Sequence, residues 1–127
     1  MNTTDTNAQP AVLPDVVAAY IEAVNAFDAD AIMATFADDA VVNDASREFA
    51  DPASIRAWLD REIVGDKVTM DVTELARHGN LTIVRARYDG TYDKTNLPDE
   101  LVLTNYLTDA GGKITSLVIV HNQPSPY

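Results

Sequence analysis

The sequence predicts an α+β domain, with helices packed on one face of an antiparallel sheet. In the first half of the chain, apolar residues recur at the spacing of an α-helix. After Gly65 they alternate with polar residues, which is the period of a half-buried strand. A chain of 127 residues, 46 % of them hydrophobic, is long enough to form one such domain around a single core.

Composition limits the domain's extent and its partners. Residues 1–12 are largely polar and residues 123–127 are rich in proline, so we expect loosely attached tails around a single domain at 13–122. Neither a leader-like pattern nor an apolar stretch of membrane-spanning length occurs, which favours a cytoplasmic location without membrane association. The net charge of −11 would repel phosphate backbones, so nucleic acid is not an expected partner.

Three helices are predicted before Gly65. Apolar residues share one face of the first, which extends from about Pro14 to Phe27: Val17, Tyr20, Ile21 and Val24. Asp28 caps the second, which is predicted to end at Asp38-Asp39 and to lead into a short apolar strand at 40–43. Asp51 caps the third. Glu62 falls within the apolar arc of this third helix and is expected to reach solvent from its last turn.

Four strands are predicted after Gly65, separated by turn signals. Gly79-Asn80 indicates a hairpin, and further turns are expected at 96–99 and 109–112. The last strand, 113–122, is apolar on both faces and is therefore predicted to lie at the centre of the sheet. By parity, Ile114, Val118 and Val120 share one of its faces, and Leu117 and Ile119 share the other.

A carboxylate at the end of the short apolar strand is the strongest chemical feature of the sequence. Asp44 follows Ala40, Val41, Val42 and Asn43, so its side chain is expected where water is scarce. Such a carboxylate is a candidate proton acceptor. Because Asn-Asp pairs are common in turns, an ordinary turn residue is the alternative.

The chain resembles the nuclear-transport-factor-2-like superfamily, in particular its ketosteroid isomerase and SnoaL-like polyketide cyclase branches. The resemblance covers about Pro14 to Asn122 and rests on the residues at 20–22, 30–32, 36–40, 42–44 and 55–58. It implies a cone-shaped fold in which three N-terminal helices pack on a curved, mainly antiparallel sheet. The open end of the cone is the pocket in this family, and homodimers are usual.

The resemblance also implies roles for individual residues. Asp44 matches the general base of the isomerase, and Tyr20 matches the tyrosine that hydrogen-bonds the substrate carbonyl. Thr104 stands where the isomerase has a second, protonated acid, which is a departure from its pattern. Phe36 and Leu59 stand where that enzyme tends to have further tyrosines, which support the tyrosine that Tyr20 matches.

Several residues are predicted to line the pocket. Thr104 and Tyr106 share a strand face, and either could donate one hydrogen bond to a ligand. His121 follows Leu117 and Ile119 by parity and could act as a second acid or base, the alternative being a solvated histidine at a strand end. The predicted lining is Thr104, Tyr106, His121, Leu117, Phe36, Trp58 and Leu59. For Tyr20 the alternative is an ordinary core aromatic.

Two classes of function fit these features. In the first, a cofactor-free enzyme binds a small hydrophobic carbonyl compound, Asp44 removes a proton next to the carbonyl, and Tyr20 stabilises the enolate oxygen. In the second, the same fold is a non-catalytic ligand-binding or dimeric interaction module. No spacing of histidines and carboxylates suggests a metal and no Gly-rich phosphate loop occurs, so we expect neither metal nor cofactor.

Overall fold

A computed structural model describes residues 13–121, so the predicted tails and Asn122 lie outside the described residues. The helices are α1 (Asp15–Asn25), α2 (Ala29–Met33) and α3 (Pro52–Trp58), the last continued by a π-helical turn (Leu59–Ile63). The strands are β1 (Phe36–Asp44), β2 (Arg47–Phe49), β3 (Thr69–His78), β4 (Leu81–Asp89), β5 (Leu101–Ala110) and β6 (Lys113–His121). The predicted α+β class, three helices on a curved six-stranded sheet, is confirmed.

The strands follow the order β2-β1-β6-β5-β4-β3 across the sheet. The pairs formed by β3 to β6 are antiparallel, as predicted, while β1 pairs with β6 in parallel. The predicted central position of β6 is confirmed, whereas β2 was not predicted from the sequence. Because β1 lies beside β6, its last residue, Asp44, comes level with Ile119 in the middle of the sheet.

The second helix is shorter than predicted. Asp28 caps α2 by accepting a hydrogen bond from the Ala31 amide, as expected, but the helix ends at Met33 and not at Asp38-Asp39. The Thr35 hydroxyl closes the helix end by donating to the Ile32 carbonyl at 2.7 Å. The Thr35 carbonyl then accepts from the Ile114 amide at 2.8 Å, which draws the chain into the sheet from Phe36 onward.

The faces of β6 also differ from the prediction. The pairing register of β6 shifts near Thr115, so a bulge reverses the parity of the residues before it. Ile114 therefore shares the buried face with Leu117 and Ile119, and all three are at most 4 % exposed. Val120, on the opposite face, is 44 % exposed. We call the face covered by the helices the inner face and the opposite one the outer face.

The core lies between the inner face and the helices. Its largest fully buried side chains are Trp58, Tyr20, Ile32, Ile55, Leu59, Leu107, Ile114 and Leu117. Full burial of one such side chain contributes about 1.5–3 kcal/mol to the free energy of unfolding.

Asn25 fastens the end of α1 to the edge strand β3, and its loss is expected to destabilise the domain. Its Nδ2 donates to the Met70 carbonyl at 3.1 Å, and its Oδ1 accepts from the Met70 amide at 2.7 Å. We expect Asn25→Ala to lower the free energy of unfolding by about 1–2 kcal/mol, measured by urea titration. Glu22→Ala, at an exposed position of the same helix, is the control and is expected to change it by less than about 0.5 kcal/mol. Equal effects of both variants would contradict this role.

Candidate functional site

A cavity of about 180 Å³ lies between the π-helical turn and the inner face of the sheet. Its walls are formed by Asp44, Glu62, Ile63, Asp66, Val68, Tyr88, Tyr92, Leu97, Leu101, Leu103 and Ile119. Most of these side chains are apolar or aromatic, and three are carboxylates. The cavity therefore combines an apolar surface with a few acidic groups, as small-molecule sites commonly do.

Asp44 lies on the cavity wall with its carboxylate held by two donors. Its Oδ2 accepts from the indole Nε1 of Trp58 at 3.0 Å and from Nη2 of Arg47 at 3.1 Å, and the side chain is 20 % exposed. Ala45 and Ser46 adopt positive φ values of 53° and 71°, which turn the chain sharply and bring Arg47 back beside Asp44. Asn43 supports that turn by accepting from the Ser46 amide. Asp44 is thus both the end of a strand and a cavity residue.

Arg47 joins Asp44 to a second carboxylate. Its two terminal nitrogens donate to both oxygens of Glu62, at 2.8 and 2.7 Å. The Asp44 carboxylate receives a single bond from Nη2, and the Asp44 backbone carbonyl accepts from Nε at 3.3 Å. The hydrogen bond to Glu62 raises the pKa of Arg47, so this guanidinium stays charged. Glu62 was expected to reach solvent, but it lies on the cavity wall because the bidentate bond to Arg47 holds it there.

The Glu62–Arg47 pair is expected to make stability depend on pH. The hydrogen bond from Arg47 lowers the pKa of Glu62 below its usual value of 4.5, with burial opposing the shift. Because the folded-state pKa is the lower one, the pair stabilises the fold above about pH 4.5, and this contribution is lost as the pH falls through the folded-state pKa. Urea titrations of Glu62→Gln should show a loss of about 1 kcal/mol at pH 7 that shrinks toward pH 3. A loss that did not change with pH would contradict this assignment.

Tyr20 belongs to the core and is not one of the wall residues of the cavity. Its ring is 1 % exposed and packs edge-to-face on Phe36, with ring centroids 5.9 Å apart. Burial raises the pKa of Tyr20 well above its ordinary range, and the neighbouring Tyr88 and Asp44 raise it further. The hydroxyl therefore stays protonated at neutral pH and can act only as a neutral hydrogen-bonding group.

Tyr88 is a wall residue that the sequence analysis missed. Its hydroxyl donates to Oδ1 of Asn105 at 2.9 Å, and Nδ2 of this fully buried asparagine donates to the Val84 carbonyl at 3.3 Å. Burial raises the pKa of Tyr88, the bond to Asn105 opposes the shift, and the charge of Asp44 adds to it. Alternate residues of β4 share one face of the strand: Thr82, Val84, Ala86 and Tyr88. This alternation is the sequence pattern that could have placed Tyr88 on the inner face.

Thr104 and Tyr106 share a strand face, as predicted, but it is the outer face. Thr104 lies between Arg85 and Val120 in the sheet, whereas the inner positions beside it are Leu103 and Asn105. Neither Thr104 nor Tyr106 therefore lines the cavity. The turn was predicted to begin at residue 109, but β5 continues to Ala110. An offset of one residue along a strand exchanges its two faces.

The other predicted wall residues lie in three different settings. His121 pairs with Leu103 on the inner face, at the end of β6 next to the cavity wall. Phe36, Leu59 and Leu117 belong to the core and do not form the wall of this cavity. Trp58 is fully buried, stacks on Phe49 and acts on the site through its hydrogen bond to Asp44.

Among residues 13–121, no three His, Cys, Asp or Glu side chains are arranged to hold a metal ion. No helix among these same residues is long and apolar enough to cross a membrane.

The three helices, the curved sheet and the cavity on its inner face define a nuclear-transport-factor-2-like domain. The chain belongs to the SnoaL-like domain family, whose model matches residues 17–117. The resemblance stated from the sequence is thereby confirmed. Among curated proteins, none matches this sequence.

Solved structures agree with this assignment. A candidate polyketide cyclase from Sinorhizobium meliloti is 30 % identical, with a TM-score of 0.75 over 84 % of this chain and 94 % of that one. The epoxide hydrolase/cyclase-like enzyme SalBIII, which has a role in pyran ring formation in salinomycin, is 23 % identical, with a TM-score of 0.74 over 86 % and 89 % of the two chains. A protein from Catenulispora acidiphila with a ketosteroid isomerase-like fold, in complex with trimethylamine, is also 23 % identical, with a TM-score of 0.72 and 85 % of each chain covered. The last two show the fold alone.

Proposed function

We propose that this domain is a cofactor-free acid-base enzyme in which Asp44 accepts a proton from the carbon next to the carbonyl of a small hydrophobic compound. The observation that carries the proposal is the position of Asp44 on the wall of a largely apolar cavity, with both of its donors bound to the same oxygen, Oδ2. These donors fix the carboxylate, and we assign Oδ1 as the oxygen that takes the proton. A base that is held in one orientation near its substrate speeds proton transfer through proximity as well as through basicity.

Tyr20 is the proposed donor to the enolate oxygen. Because Nδ2 of Asn105 is bonded to the Val84 carbonyl, Oδ1 of Asn105 faces Tyr88 and takes the only hydroxyl hydrogen of that tyrosine. Tyr20 is the other protonated tyrosine whose pKa is raised by the charge of Asp44. The proposal therefore assigns proton transfer to Asp44, charge stabilisation to Tyr20 and wall packing to Tyr88.

Family membership supports acid-base chemistry without identifying a substrate. The similar protein from Sinorhizobium meliloti is a candidate polyketide cyclase, and polyketides are rich in carbonyl groups. The proposed substrate class follows from that likeness together with the apolar walls around Asp44.

Isotope exchange tests the proposal. Cyclic ketones, small enones and aromatic polyketides would first be ranked by the rise in melting temperature that they cause. Compounds that bind would then be incubated with the protein in D₂O, and loss of the hydrogen signal next to the carbonyl would be followed by proton NMR. We expect exchange that depends on the protein. Binding of several carbonyl compounds with exchange at the uncatalysed rate for all of them would contradict the enzyme proposal.

A non-catalytic binding module is the second candidate function. It is favoured by the absence of a carboxyl group on the inner face of β5 near the cavity, where Leu103 and Asn105 stand. The small cavity, below the roughly 300–1,000 Å³ usual for ligand sites, points the same way. This candidate predicts binding without exchange.

We also propose that the domain forms a homodimer through its outer face. Tyr106 and Val120 are 37 % and 44 % exposed there, and neighbouring β5 and β6 residues extend the apolar surface. Sedimentation at tens of micromolar protein should give a dimer, and Val120→Glu should give a monomer because it places a charge in the interface. A wild-type monomer under these conditions would contradict the proposal.

A further inference from the structure

A second space lies directly outside the cavity. This groove, of about 530 Å³, is bounded by the ends of β3, β4 and β5 and by the loop at residues 90–100. Cavity and groove share four wall residues: Tyr88, Tyr92, Leu97 and Leu101. Since two of these, Tyr92 and Leu97, belong to the loop, part of the partition between the two spaces is loop side chain and not sheet backbone.

We propose that the cavity and the groove are two halves of one binding site for an elongated, uncharged or cationic ligand, with Tyr92 as the gate between them. The inference rests on the proposed function in that the cavity half is taken as the place of reaction. The cavity alone is small for a ligand site, whereas the two spaces together fall within the usual range.

Tyr92 is held less firmly than the loop that carries it. Thr91 anchors the loop, because its amide and hydroxyl both donate to the Asp66 carbonyl, at 2.6 and 3.0 Å. By contrast, the Tyr92 hydroxyl donates to the Tyr88 carbonyl at 3.4 Å, and Lys94 lies 5.7 Å above its ring. A long hydrogen bond and an exposed cation–π contact are both weak, so the ring can turn aside while the loop stays anchored.

Gly90 allows the Tyr92 ring to pack closely against the backbone of the loop. A Cβ at this position would lie 2.7 Å from the Asp66 carbonyl oxygen and 2.9 Å from the Tyr92 ring. The absence of a side chain at residue 90 therefore lets the Tyr92 ring and the Asp66 carbonyl both pack against the Gly90 backbone.

The charges of the two walls select the ligand class. Three carboxylates line the cavity (Asp44, Glu62 and Asp66), and four line the groove (Asp71, Asp89, Asp99 and Glu100). The groove has two cationic side chains, and Lys94 is already paired with Asp89 and Arg87 with Asp71 and Glu100. An anionic ligand would meet net repulsion in both halves, whereas a neutral or cationic one would not.

NMR titration of the full-length chain tests this inference. Trp58 is the only tryptophan, so its indole N–H signal reports on the surroundings of Asp44 without ambiguity. The backbone amides of Asp71 and Glu100 report on the groove. The elongated probes are 4-phenylbutan-1-ol, 4-phenylbutylamine and 4-phenylbutyrate, which differ only in their terminal group, and benzyl alcohol is the short probe.

We expect the alcohol and the amine to shift the Trp58 and groove signals with a single Kd, and the carboxylate to bind about tenfold more weakly. Benzyl alcohol should shift the Trp58 signal alone. Tyr92→Ala should lower the Kd of the elongated probes by about fivefold, because the open state no longer has to be populated, while Tyr92→Phe keeps the ring and should stay within about twofold of the wild type. Tyr92→Phe should leave the Kd of benzyl alcohol unchanged. Tyr92→Ala removes a ring from the cavity wall and should therefore weaken the binding of benzyl alcohol, so tighter binding should be confined to the elongated probes.

Different outcomes overturn different statements. If elongated probes moved the Trp58 signal and left the groove amides unchanged, or moved the two sets with different Kd values, the two-part site would be wrong and the proposed function would stand. An unchanged Kd in Tyr92→Ala would refute the gate. If none of the probes, benzyl alcohol included, moved the Trp58 signal, the cavity would not be the ligand site and both proposals would fail.

Discussion

Asp44→Asn is expected to abolish protein-dependent isotope exchange while leaving the domain folded. An amide oxygen can still accept from Trp58 and Arg47, so the local hydrogen bonds survive, but an amide cannot take up the proton. Loss of a general base lowers rates by about 10²–10⁴-fold, which would reduce exchange to near the rate in solvent. The measurement is the rate at which the ligand's signal next to the carbonyl disappears in D₂O.

Asp39→Asn is the matched control for this variant. It makes the same change of charge on the same strand, at an exposed position away from the cavity, and should leave the exchange rate unchanged. The binding-module alternative predicts a different result for Asp44→Asn: equal or tighter binding of an apolar ligand, because a partly buried charge is removed. Exchange that continues unchanged in Asp44→Asn would end the catalytic assignment.

Tyr20→Phe is the second variant with a large expected effect. Phenylalanine keeps the edge-to-face contact with Phe36 and removes only the hydroxyl, so packing should change little. If Tyr20 is the main donor to the enolate oxygen, its loss should remove about 2–4 kcal/mol of transition-state stabilisation, or about 30- to 1,000-fold in exchange rate.

Tyr88→Phe separates this role from a structural one. It leaves the buried Oδ1 of Asn105 without the tyrosine hydroxyl, so we expect a loss of about 1–3 kcal/mol in the free energy of unfolding and a smaller loss of exchange rate. Urea titration and exchange would be measured on both variants. A larger loss of exchange in Tyr88→Phe than in Tyr20→Phe would assign the donor to the cavity wall instead.

Periodicity predicted most of the fold because the helices and strands each bury one face. The change of period after Gly65, the Asp28 and Asp51 caps and the Gly79-Asn80 hairpin all correspond to observed elements. Two errors have specific causes. The end of α2 depends on the hydrogen bond from the Ile114 amide to the Thr35 carbonyl, which joins residues far apart in sequence. The faces of β6 depend on a bulge that parity does not reveal.

The site was harder to predict because its parts come from distant segments. Asp44 was predicted as a site residue from the apolar strand before it. Its neighbours could not be predicted in the same way. Arg47 returns to Asp44 through two residues with positive φ, and Glu62 comes from a helix fifteen residues beyond Arg47. The Tyr88–Asn105 pair is a contact between neighbouring strands, and it is visible only once β4 and β5 are in register. For Thr104 the strand itself was predicted correctly. An offset of one residue in its end placed the Thr104 side chain on the wrong face of the sheet.

A crystal structure of Asp44→Asn with a bound carbonyl ligand would test the central claim most directly. We expect the carbon next to the ligand's carbonyl to lie within about 3–3.5 Å of the side chain at position 44, the distance of a reactive contact. We also expect the carbonyl oxygen to lie within hydrogen-bonding distance of the Tyr20 hydroxyl. A ligand that occupies the cavity with its carbonyl turned away from residue 44, or one bound wholly outside the cavity, would contradict the proposal that Asp44 is the base.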